Sequence, residues 1–406
     1  MKYVIIGNSI ASTGCIEGIR ATDKDGSITV IGAEPHHVYG RPLISYLLEG
    51  KTDLERIKYR PDDFYEVNKC EFLSGVRAVK IDLKDKVVET ENGGTIPYDK
   101  LLIATGSRPF VPRITGLEKY EYHTFMTLDD ALRLDKKIRE TANAKVLIIG
   151  AGLIGLKCAE ALRKYASKIT VVDMADRVLP SILDAEGAEI IKKHLEANGV
   201  DFVLSTAANL DDFKFDILCV CAGVIPETGL AKAAGLEVGR GIFIDDRAAT
   251  TAIDVYAAGD CTESVSGVTG ARGATPILPN AYIQGETAGI NMAGGRAVCD
   301  KYIPMNAIGF FGKHILTAGV YDGETVTVKR DGGFKKLFIK DGLLKGYIFI
   351  DDFKRAGIYT ALIRDKTDLS GIDSDALADD ISLARVYKKN RRDEILKKTD
   401  LRGQGV

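Results

Sequence analysis

The sequence of 406 residues has no apolar stretch that approaches the ~18 residues of a membrane-spanning helix. It has no basic segment followed by an apolar one at its start, because Met1 leads directly into the apolar run Tyr3 to Ile6. Its 55 basic and 57 acidic residues nearly cancel, so no overall field favours nucleic acid or a membrane surface. These absences predict a cytoplasmic protein without nucleic-acid or membrane partners.

Cysteine is scarce and unevenly placed. The 7 cysteines are an odd number in a long chain, which argues against a disulfide framework. None lies between Cys15 and Cys70, and none follows Cys299. Cys219 and Cys221 lie in an apolar run where alternate residues share one face of a strand, so we predict core packing and no metal site.

Short apolar runs alternate with helical patterns as far as about residue 305, which is typical of α/β folds built on parallel sheets. Two strand–helix–strand units are predicted, with strands at 3–6, 27–31, 145–149 and 168–172. After about residue 304 the pattern changes to short strands with Gly-rich turns between them, including 325–329, 336–339 and 346–350. The sequence therefore predicts two Rossmann-like domains followed by a small C-terminal α+β domain.

A glycine-rich turn, Gly150–Gly155, follows the first strand of the second unit and reads GAGLIG. Glycines at this spacing permit a tight turn and close approach of a pyrophosphate, and the helix N-terminus favours the anion. Asp173 lies 18 residues after Gly155, where a carboxylate accepts hydrogen bonds from ribose hydroxyls and repels a 2′-phosphate. We predict a dinucleotide site that prefers NADH, with NADPH left open because Arg177 is near.

The first unit carries a less regular version of this turn. It reads Gly7-Asn-Ser9-Ile-Ala11-Ser12, with serines where the second and third glycines would stand. The strand before it, the helix after it and Glu34 at the end of the next strand are the context of a dinucleotide site. We therefore predict a second nucleotide site here, with a plain strand–helix–strand core as the alternative.

Two further segments carry a family resemblance. The segments 102–109, LIATGSRP, and 255–260, VYAAGD, resemble recurring segments of the FAD- and NAD-dependent pyridine nucleotide oxidoreductases. The resemblance covers roughly residues 1–305 and implies a glutathione reductase-like fold that binds FAD at the Gly7 turn and NADH at the Gly150 turn. From the residues themselves, Pro109, Pro112 and Gly116 predict a crossover into a second domain, and the segment 239–241 predicts the return. The predicted domains span 1–110 with 241–305 for FAD, 111–240 for NAD(P)H and 306–384 for a C-terminal interface domain, followed by a tail, 385–406.

The resemblance carries the binding residues over by position. In relatives the aspartate that matches Asp260 hydrogen-bonds the ribitol of FAD, and the helix that begins near Pro279 faces the flavin. The residues expected to bind FAD are Gly7, Ser9, Ala11, Ser12, Glu34, Arg41, Pro42, Ser45, Val79, Thr105, Gly106, Gly259, Asp260 and Ala281. Those expected to bind NAD are Gly150, Gly152, Leu153, Ile154, Gly155, Asp173, Ala222 and Gly223.

The segment 39–46, YGRPLISY, contains no cysteine, although disulfide reductases of this family place one or two at the corresponding helix start. Thiol chemistry beside the flavin is therefore not expected. The segment resembles the branch that contains NADH:rubredoxin oxidoreductases, the flavin modules of nitrite reductases and oxidoreductases associated with carbon monoxide dehydrogenase. This implies hydride transfer from NADH to flavin N5, then single-electron transfer to a separate rubredoxin- or ferredoxin-like iron–sulfur protein.

The sequence leaves the electron acceptor, the oligomeric state and the role of the tail open. An NADH oxidase or diaphorase that uses O2 or quinones is one alternative, and a flavin-bearing redox sensor or scaffold with little turnover is another. A homodimer is also open. The tail 385–406 carries 8 basic and 3 acidic residues, and it either docks an acidic iron–sulfur protein or forms a solvated helix.

Lys157 departs from the family pattern. It stands two residues after Gly155, where relatives usually carry Glu, and Tyr46 stands where relatives carry a lysine near flavin N5. No acid–base residue is expected, since flavin N5 carries the chemistry. We interpret Lys157 as a candidate flavin-tuning residue whose positive charge would stabilise the reduced flavin, with a surface-directed lysine as the alternative.

Overall fold

The computed structural model describes residues 1–266, 268, 270–274, 276–299, 303–330, 332–370, 372 and 377. The chain forms two compact units, Met1–Tyr302 and Ile303–Val406. The tail predicted over 385–406 lies outside the described residues. Within the described part, no helix combines the length and the apolarity that crossing a membrane requires.

The first unit alternates strands and helices along most of its length. Its helices are α1 Ile10–Thr22, α2 Ile44–Leu48, α3 Phe64–Val67, α4 Leu128–Glu140, α5 Leu153–Leu162, α6 Ala185–Ala197, α7 Gly229–Ala233 and α8 Leu278–Met292. Its strands are β1 Lys2–Ile6, β2 Ser27–Gly32, β3 Cys70–Ser74, β4 Ala78–Asp82, β5 Val87–Thr90, β6 Thr95–Pro97, β7 Lys100–Ile103, β8 Ser107–Pro109, β9 Lys145–Ile149, β10 Lys168–Val172, β11 Val200–Val203, β12 Ile217–Val220, β13 Val224–Pro226, β14 Ile242–Phe243, β15 Val255–Ala257, β16 Thr262–Val265 and β17 Arg272–Gly273.

The first large sheet has the strand order β15-β7-β1-β2-β3, and its strands pair in parallel. Val4 of β1 lies opposite Thr29 of β2 and Leu101 of β7. Strands buried on both faces read as continuous apolar runs, which is why β1 was recognisable in the sequence. Because β15 lies about 150 residues after β7 in the chain, this sheet is assembled from two separated segments.

The second parallel sheet has the order β11-β10-β9-β12 and comes from one continuous segment. Its central strands β9 and β10 have the bounds that the sequence predicted, 145–149 and 168–172. Leu147, Ile149 and Leu218 lie in the apolar core that this sheet shares with the residues flanking it. The predicted α/β fold with two Rossmann-like parallel sheets is thus confirmed.

An antiparallel pair of strands connects the two sheets. β8 leaves the first sheet and β13 returns toward it, with Ser107 opposite Pro226. Ala231 and Leu236, which follow β13, are buried in the core of the first sheet. The division into an FAD and an NAD(P)H domain stays a prediction, but this packing leads us to place its second boundary near Pro226 and not near residue 240.

Glycines bring α1 and α8 unusually close together. A Cβ added at Gly14 or Gly18 of α1, or at Gly285 or Gly289 of α8, would lie 1.9–2.4 Å from a backbone carbonyl oxygen of the facing helix. Each helix therefore presents a glycine pair at i and i+4, which share one face. The two helix starts, which border the Gly7 turn and the Gly259 loop, are held at a separation that a methyl group would not permit.

The second unit contains β18 Met305–Phe310, β19 Lys313–Gly319, β20 Glu324–Arg330, β21 Gly333–Lys340, β22 Leu343–Ile350 and α9 Ala356–Arg364. The strands form an antiparallel sheet in the order β18-β19-β22-β21-β20. Tyr347 and Phe349 of β22 stack with ring centroids 4.3 Å apart, and Tyr359 of α9 packs edge-on against Phe349. The predicted α+β fold of this region is confirmed.

Candidate functional site

The turn after β1 is shaped by a glycine in a conformation that strains other residues. Gly7 has a φ of +113°, and a Cβ here would lie 2.1 Å from the Ala104 carbonyl oxygen. The buried Ser12 hydroxyl donates to the Gly7 carbonyl oxygen at 2.7 Å. α1 begins directly after Ser9, so its unpaired N–H groups are available at the turn. The serines thus preserve a tight turn at a helix N-terminus, which suits a pyrophosphate.

The Glu34 carboxylate is held by two side chains. The Tyr39 hydroxyl donates to Glu34 Oε2 at 2.6 Å, and Arg41 Nη2 donates to Oε1 at 3.1 Å. Tyr39 also accepts the N–H of Leu128 at 3.0 Å, and Arg41 donates to the Met126 carbonyl oxygen at 3.0 Å. The carboxylate at the end of β2 is therefore oriented from the start of α4, at the place where a dinucleotide ribose would meet it.

Arg41 is bonded to one carboxylate, Glu34, and interacts electrostatically with a second, Asp260. Burial lowers the pKa of Arg41, but Tyr39, Glu34 and Asp260 raise it by more, so the guanidinium stays charged. Burial raises the pKa of the Asp260 carboxyl, while Arg41 and the Ser107 hydroxyl, 3.4 Å from Oδ2, oppose the rise. If Glu34 meets the ribose of FAD and Asp260 meets the ribitol, the connecting pyrophosphate faces this half-buried cation. The residues present fit FAD.

The loop that carries Asp260 is fixed by α8. The buried Gln284 side chain accepts the N–H of Gly259 at 2.7 Å and the Thr262 hydroxyl at 3.2 Å. A Cβ at Gly259 would lie 3.3 Å from Ala11 Cβ and 3.7 Å from Ala281 Cβ. The structure thus brings Ala11, Gly259 and Ala281 together, as the predicted FAD site requires.

Thr105 and Gly106 connect the first sheet to the crossing strands. The Thr105 hydroxyl donates to the Glu227 carbonyl oxygen at 2.6 Å, and the Glu227 N–H donates to the Gly106 carbonyl oxygen at 2.9 Å. Gly106 has a φ of +68°, which allows the chain to turn out of β7 toward β8. These bonds hold the segment in one conformation next to Ser107 and Asp260.

The second turn has the same backbone geometry in a more regular form. Gly150 has a φ of +117°, and a Cβ here would lie 2.3 Å from the Cys221 carbonyl oxygen. A Cβ at Gly155 would lie 2.0 Å from the Gly150 carbonyl oxygen, whereas no atom of the described residues lies within 4 Å of one at Gly152 or Gly223. Gly150 and Gly155 therefore close the turn, and Gly152 leaves open space at the start of α5, where Leu153 and Ile154 lie. This arrangement fits a dinucleotide pyrophosphate.

Asp173 follows β10 beside this turn. Its Oδ2 accepts the Ala151 N–H at 2.6 Å and its Oδ1 accepts the Ala175 N–H at 2.8 Å. The guanidinium of nearby Arg177 pairs with Asp176 at 2.7 Å. The carboxylate is thus oriented by the backbone of the turn, and the nearby cation is already paired with another acid.

Lys157 points into the protein, not toward the surface. Its ammonium lies 2.5 Å from Glu160 Oε2, with side-chain exposures of 16% for Lys157 and 7% for Glu160. It also lies 5.1 Å from the centroid of the Tyr46 ring, on α2. The alternative of a surface-directed lysine is therefore wrong, whereas the flavin-tuning role stays a prediction.

Residues 1–285 match the pyridine nucleotide-disulphide oxidoreductase family. The chain belongs to this family. Its members use FAD and NAD(H), which agrees with the two turns described above and confirms the cofactors that the sequence predicted.

Similar proteins span most of the chain. The epsilon subunit of NADH-dependent phenylglyoxylate dehydrogenase from Aromatoleum evansii is 34% identical over 95% of this chain and 96% of its own length. An NADH oxidase from Methanocaldococcus jannaschii is 32% identical over 75% and 72%. A solved NAD-dependent persulfide reductase from A. fulgidus has a TM-score of 0.84 and 29% identity over 90% of this chain and 77% of its own. Further relatives at 28–29% identity are named nitrite reductase, rubredoxin-NAD(+) reductase and ferredoxin reductase.

Some predicted family residues have only a general position in the structure. Ser45, which is buried on α2, donates to the Pro42 carbonyl oxygen at 3.1 Å, so both shape the segment after Arg41. Ala222 and Gly223 follow β12 next to the Gly150 turn, and Gly223 accepts the Phe110 N–H at 2.9 Å. Val79 lies on β4, outside both parallel sheets, and its side chain is 48% exposed. Its role toward FAD stays a prediction.

Sequence reasoning missed several residues that shape the site. Tyr39 orients Glu34 and Gln284 orients Gly259, and neither role was predicted. The contact of His36 Nε2 with Asp129 Oδ1, 2.7 Å apart at the start of α4, was not predicted either. The glycines at i and i+4 in α1 and in α8 were the one sequence signal for the close contact between these two helices, because such pairs let helices approach each other.

Three of the cysteines pack together behind the Gly150 turn. Cys158, Cys219 and Cys221 are free and buried behind the Gly150 turn. Hydrogen bonds with Cys219 and Cys221, together with burial, raise the pKa of the Cys158 thiol. Thiols of this kind are poor nucleophiles, which supports their interpretation as core residues.

Proposed function

We propose that this chain is an FAD-dependent NADH oxidoreductase that passes electrons between NADH and a separate rubredoxin- or ferredoxin-like iron–sulfur protein. FAD, when bound, supplies the exchange between a two-electron nicotinamide and one-electron carriers. The observation that carries the proposal is the segment 39–46, which joins Arg41 to α2 without any cysteine. A thiol relay has no residue to act through there, so electrons leave the site directly.

The protein residues supply binding and orientation. Asp173, fixed by the N–H groups of Ala151 and Ala175, would accept hydrogen bonds from the adenosine ribose of NADH and repel a 2′-phosphate. Arg41 would neutralise the pyrophosphate of FAD, and Glu34 and Asp260 would hold the sugar groups on either side of it. Correct positioning of two rings is the main requirement of hydride transfer, and it needs no acid–base side chain.

Relatives support an iron–sulfur acceptor. Similar proteins are named rubredoxin reductase and ferredoxin reductases. Another is a subunit of an NADH-dependent dehydrogenase, and this chain matches that subunit over almost its full length. We infer that the acceptor is a metal centre in another polypeptide, either a mobile carrier or a partner subunit. Association with carbon monoxide dehydrogenase, a homodimer and a cytoplasmic location are predictions from the sequence that belong to this proposal.

The test compares electron acceptors with one purified, FAD-loaded protein. Anaerobic reduction of the flavin by NADH is followed at its absorbance maximum, and then rubredoxin, a 2[4Fe–4S] ferredoxin, ferricyanide or O2 is added. The proposal expects fast reduction by NADH and reoxidation by an iron–sulfur protein that is much faster than reoxidation by O2. It is refuted if NADH does not reduce the flavin, or if no iron–sulfur protein outpaces O2.

A second candidate is favoured by one relative, the NADH oxidase of Methanocaldococcus jannaschii. In that case O2 is the acceptor, and the rate of NADH consumption rises with O2 concentration in the absence of any carrier protein. The same acceptor series separates the two functions, because an iron–sulfur protein then adds nothing to the rate in air.

A further inference from the structure

The two predicted nucleotide sites adjoin each other at a contact between α2 and α5. α2 follows Arg41, the cation that pairs with Glu34, and α5 begins at the Gly150–Gly155 turn. Lys157, the fifth residue of α5, lies over the Tyr46 ring of α2 at 5.1 Å. Hydride transfer requires the nicotinamide and the flavin rings to stack, so chemistry occurs where the two sites meet. Lys157 is a charge at that junction.

This charge is enclosed and is paired within its own helix. Lys157 and Glu160, at i and i+3, form an ion pair with side-chain exposures of 16% and 7%. Removing two charges from water costs several kcal/mol per ion, and an ion pair often fails to recover that cost. A buried pair at this position therefore adds little to stability, but its charges act over a short distance in a medium of low dielectric constant.

A second pair near the same ring provides an internal comparison. Lys51 lies 5.7 Å from the Tyr46 centroid and pairs with Glu49, but the Lys51 side chain is 60% exposed. Solvent and salt screen an exposed charge much more than a buried one. Two lysines at nearly the same distance from one ring thus differ mainly in their burial.

We propose that Lys157 and Glu160 tune the reduction potential of the bound flavin in opposite directions, and that the Tyr46 ring positions the Lys157 ammonium. This inference rests on the proposed function, because it assumes that FAD and NADH occupy the two turns. Reduced flavin carries more negative charge than oxidised flavin, so a nearby cation favours reduction and a nearby carboxylate opposes it. The positive charge at position 157 would therefore raise the reduction potential of the flavin.

The experiment measures the midpoint potential of the FAD-loaded protein by spectroelectrochemistry in four variants. Lys157→Gln should shift the two-electron equilibrium about tenfold toward oxidised flavin, which corresponds to a fall of about 30 mV. Glu160→Gln should shift it in the opposite direction. Lys51→Gln is the charge-matched control and should leave the potential close to that of the parent. Tyr46→Leu, which removes the ring, should shift the potential part of the way toward that of Lys157→Gln.

The signs decide the outcome. Opposite shifts for Lys157→Gln and Glu160→Gln, with Lys51→Gln unchanged, support the proposal. Shifts of the same sign, no shift, or equal shifts for Lys51→Gln and Lys157→Gln overturn it, even when NADH still reduces the flavin normally. If the parent protein binds no FAD or is not reduced by NADH, it is the proposed function that fails.

Discussion

The contact between α1 and α8 makes Gly285→Ala an informative substitution. The added methyl group would lie 1.9 Å from the Ala11 carbonyl oxygen, whereas real contacts essentially never fall below 3.0 Å. The helices must therefore separate by about 1 Å, and overpacking of a close-packed core costs ~1–3 kcal/mol, occasionally more. The helix propensity of Ala returns at most about 1 kcal/mol of this. We expect a net loss of about 1–2 kcal/mol in the free energy of unfolding.

The same substitution should weaken FAD binding. Ala11 borders the Gly259 loop, since a Cβ at Gly259 would lie 3.3 Å from Ala11 Cβ. A shift of about 1 Å at α8 therefore moves the loop that carries Asp260, and misplacement of this size is costly at a preorganised site. The stability difference between variant and parent should be larger with FAD bound than without it, because weaker binding also reduces ligand-linked stabilisation.

Urea unfolding of FAD-loaded and FAD-free protein, with linear extrapolation, measures both effects, and flavin fluorescence on dilution measures FAD release. Gly357→Ala is the matched control, because Gly357 lies in α9 and, in the part of the chain that the structure describes, nothing lies within 4 Å of its added Cβ. That variant should gain about 0.5–1 kcal/mol from helix propensity. If Gly285→Ala is as stable as Gly357→Ala and retains FAD equally well, the close contact does not organise the site.

Asp173→Asn should lower the preference for NADH over NADPH by about tenfold or more. The reason is that a charged hydrogen bond is worth ~1.5–3 kcal/mol and that the repulsion of the 2′-phosphate is removed. The ratio of kcat/KM values for the two nucleotides measures this preference, and an unchanged ratio contradicts the prediction. Arg41→Gln should weaken FAD binding by about 10- to 100-fold, since a hydrogen bond to a charged group is worth ~1.5–3 kcal/mol, and fluorescence titration of FAD-free protein measures it. Tyr39→Phe should cost ~1–3 kcal/mol in the free energy of unfolding, because the buried N–H of Leu128 loses its acceptor; a urea midpoint equal to that of the parent would show that this bond is dispensable.

Much of the fold was predictable from local patterns. Strands β9 and β10 have the bounds read from the sequence, because strands buried on both faces of a parallel sheet are continuous apolar runs. The Gly150 turn was equally clear, since a φ of +117° leaves glycine as the residue of choice. The irregular Gly7 turn was also identified correctly as a tight turn, but only through its context.

Other features depend on contacts between distant residues. The return to the first sheet was expected near Gly239, yet β13 pairs with β8 already at Pro226. The crossing is set by antiparallel pairing over more than 100 residues, which no local pattern reports. The contact between His36 and Asp129 was equally unpredictable, because it exists only once α4 packs beside the segment after β2.

Lys157 shows most clearly what the sequence determines and what only the tertiary structure determines. The sequence by itself determined the two turns, their carboxylates Glu34 and Asp173, the missing thiol and the reversed charge at position 157, because each depends on residue type and short spacing. Only the tertiary structure decided that Lys157 is largely buried, paired with Glu160 and packed on the Tyr46 ring, and that Arg41 pairs with Glu34. Burial and charge pairing are properties of packed elements, and packing joins residues that the chain itself keeps far apart.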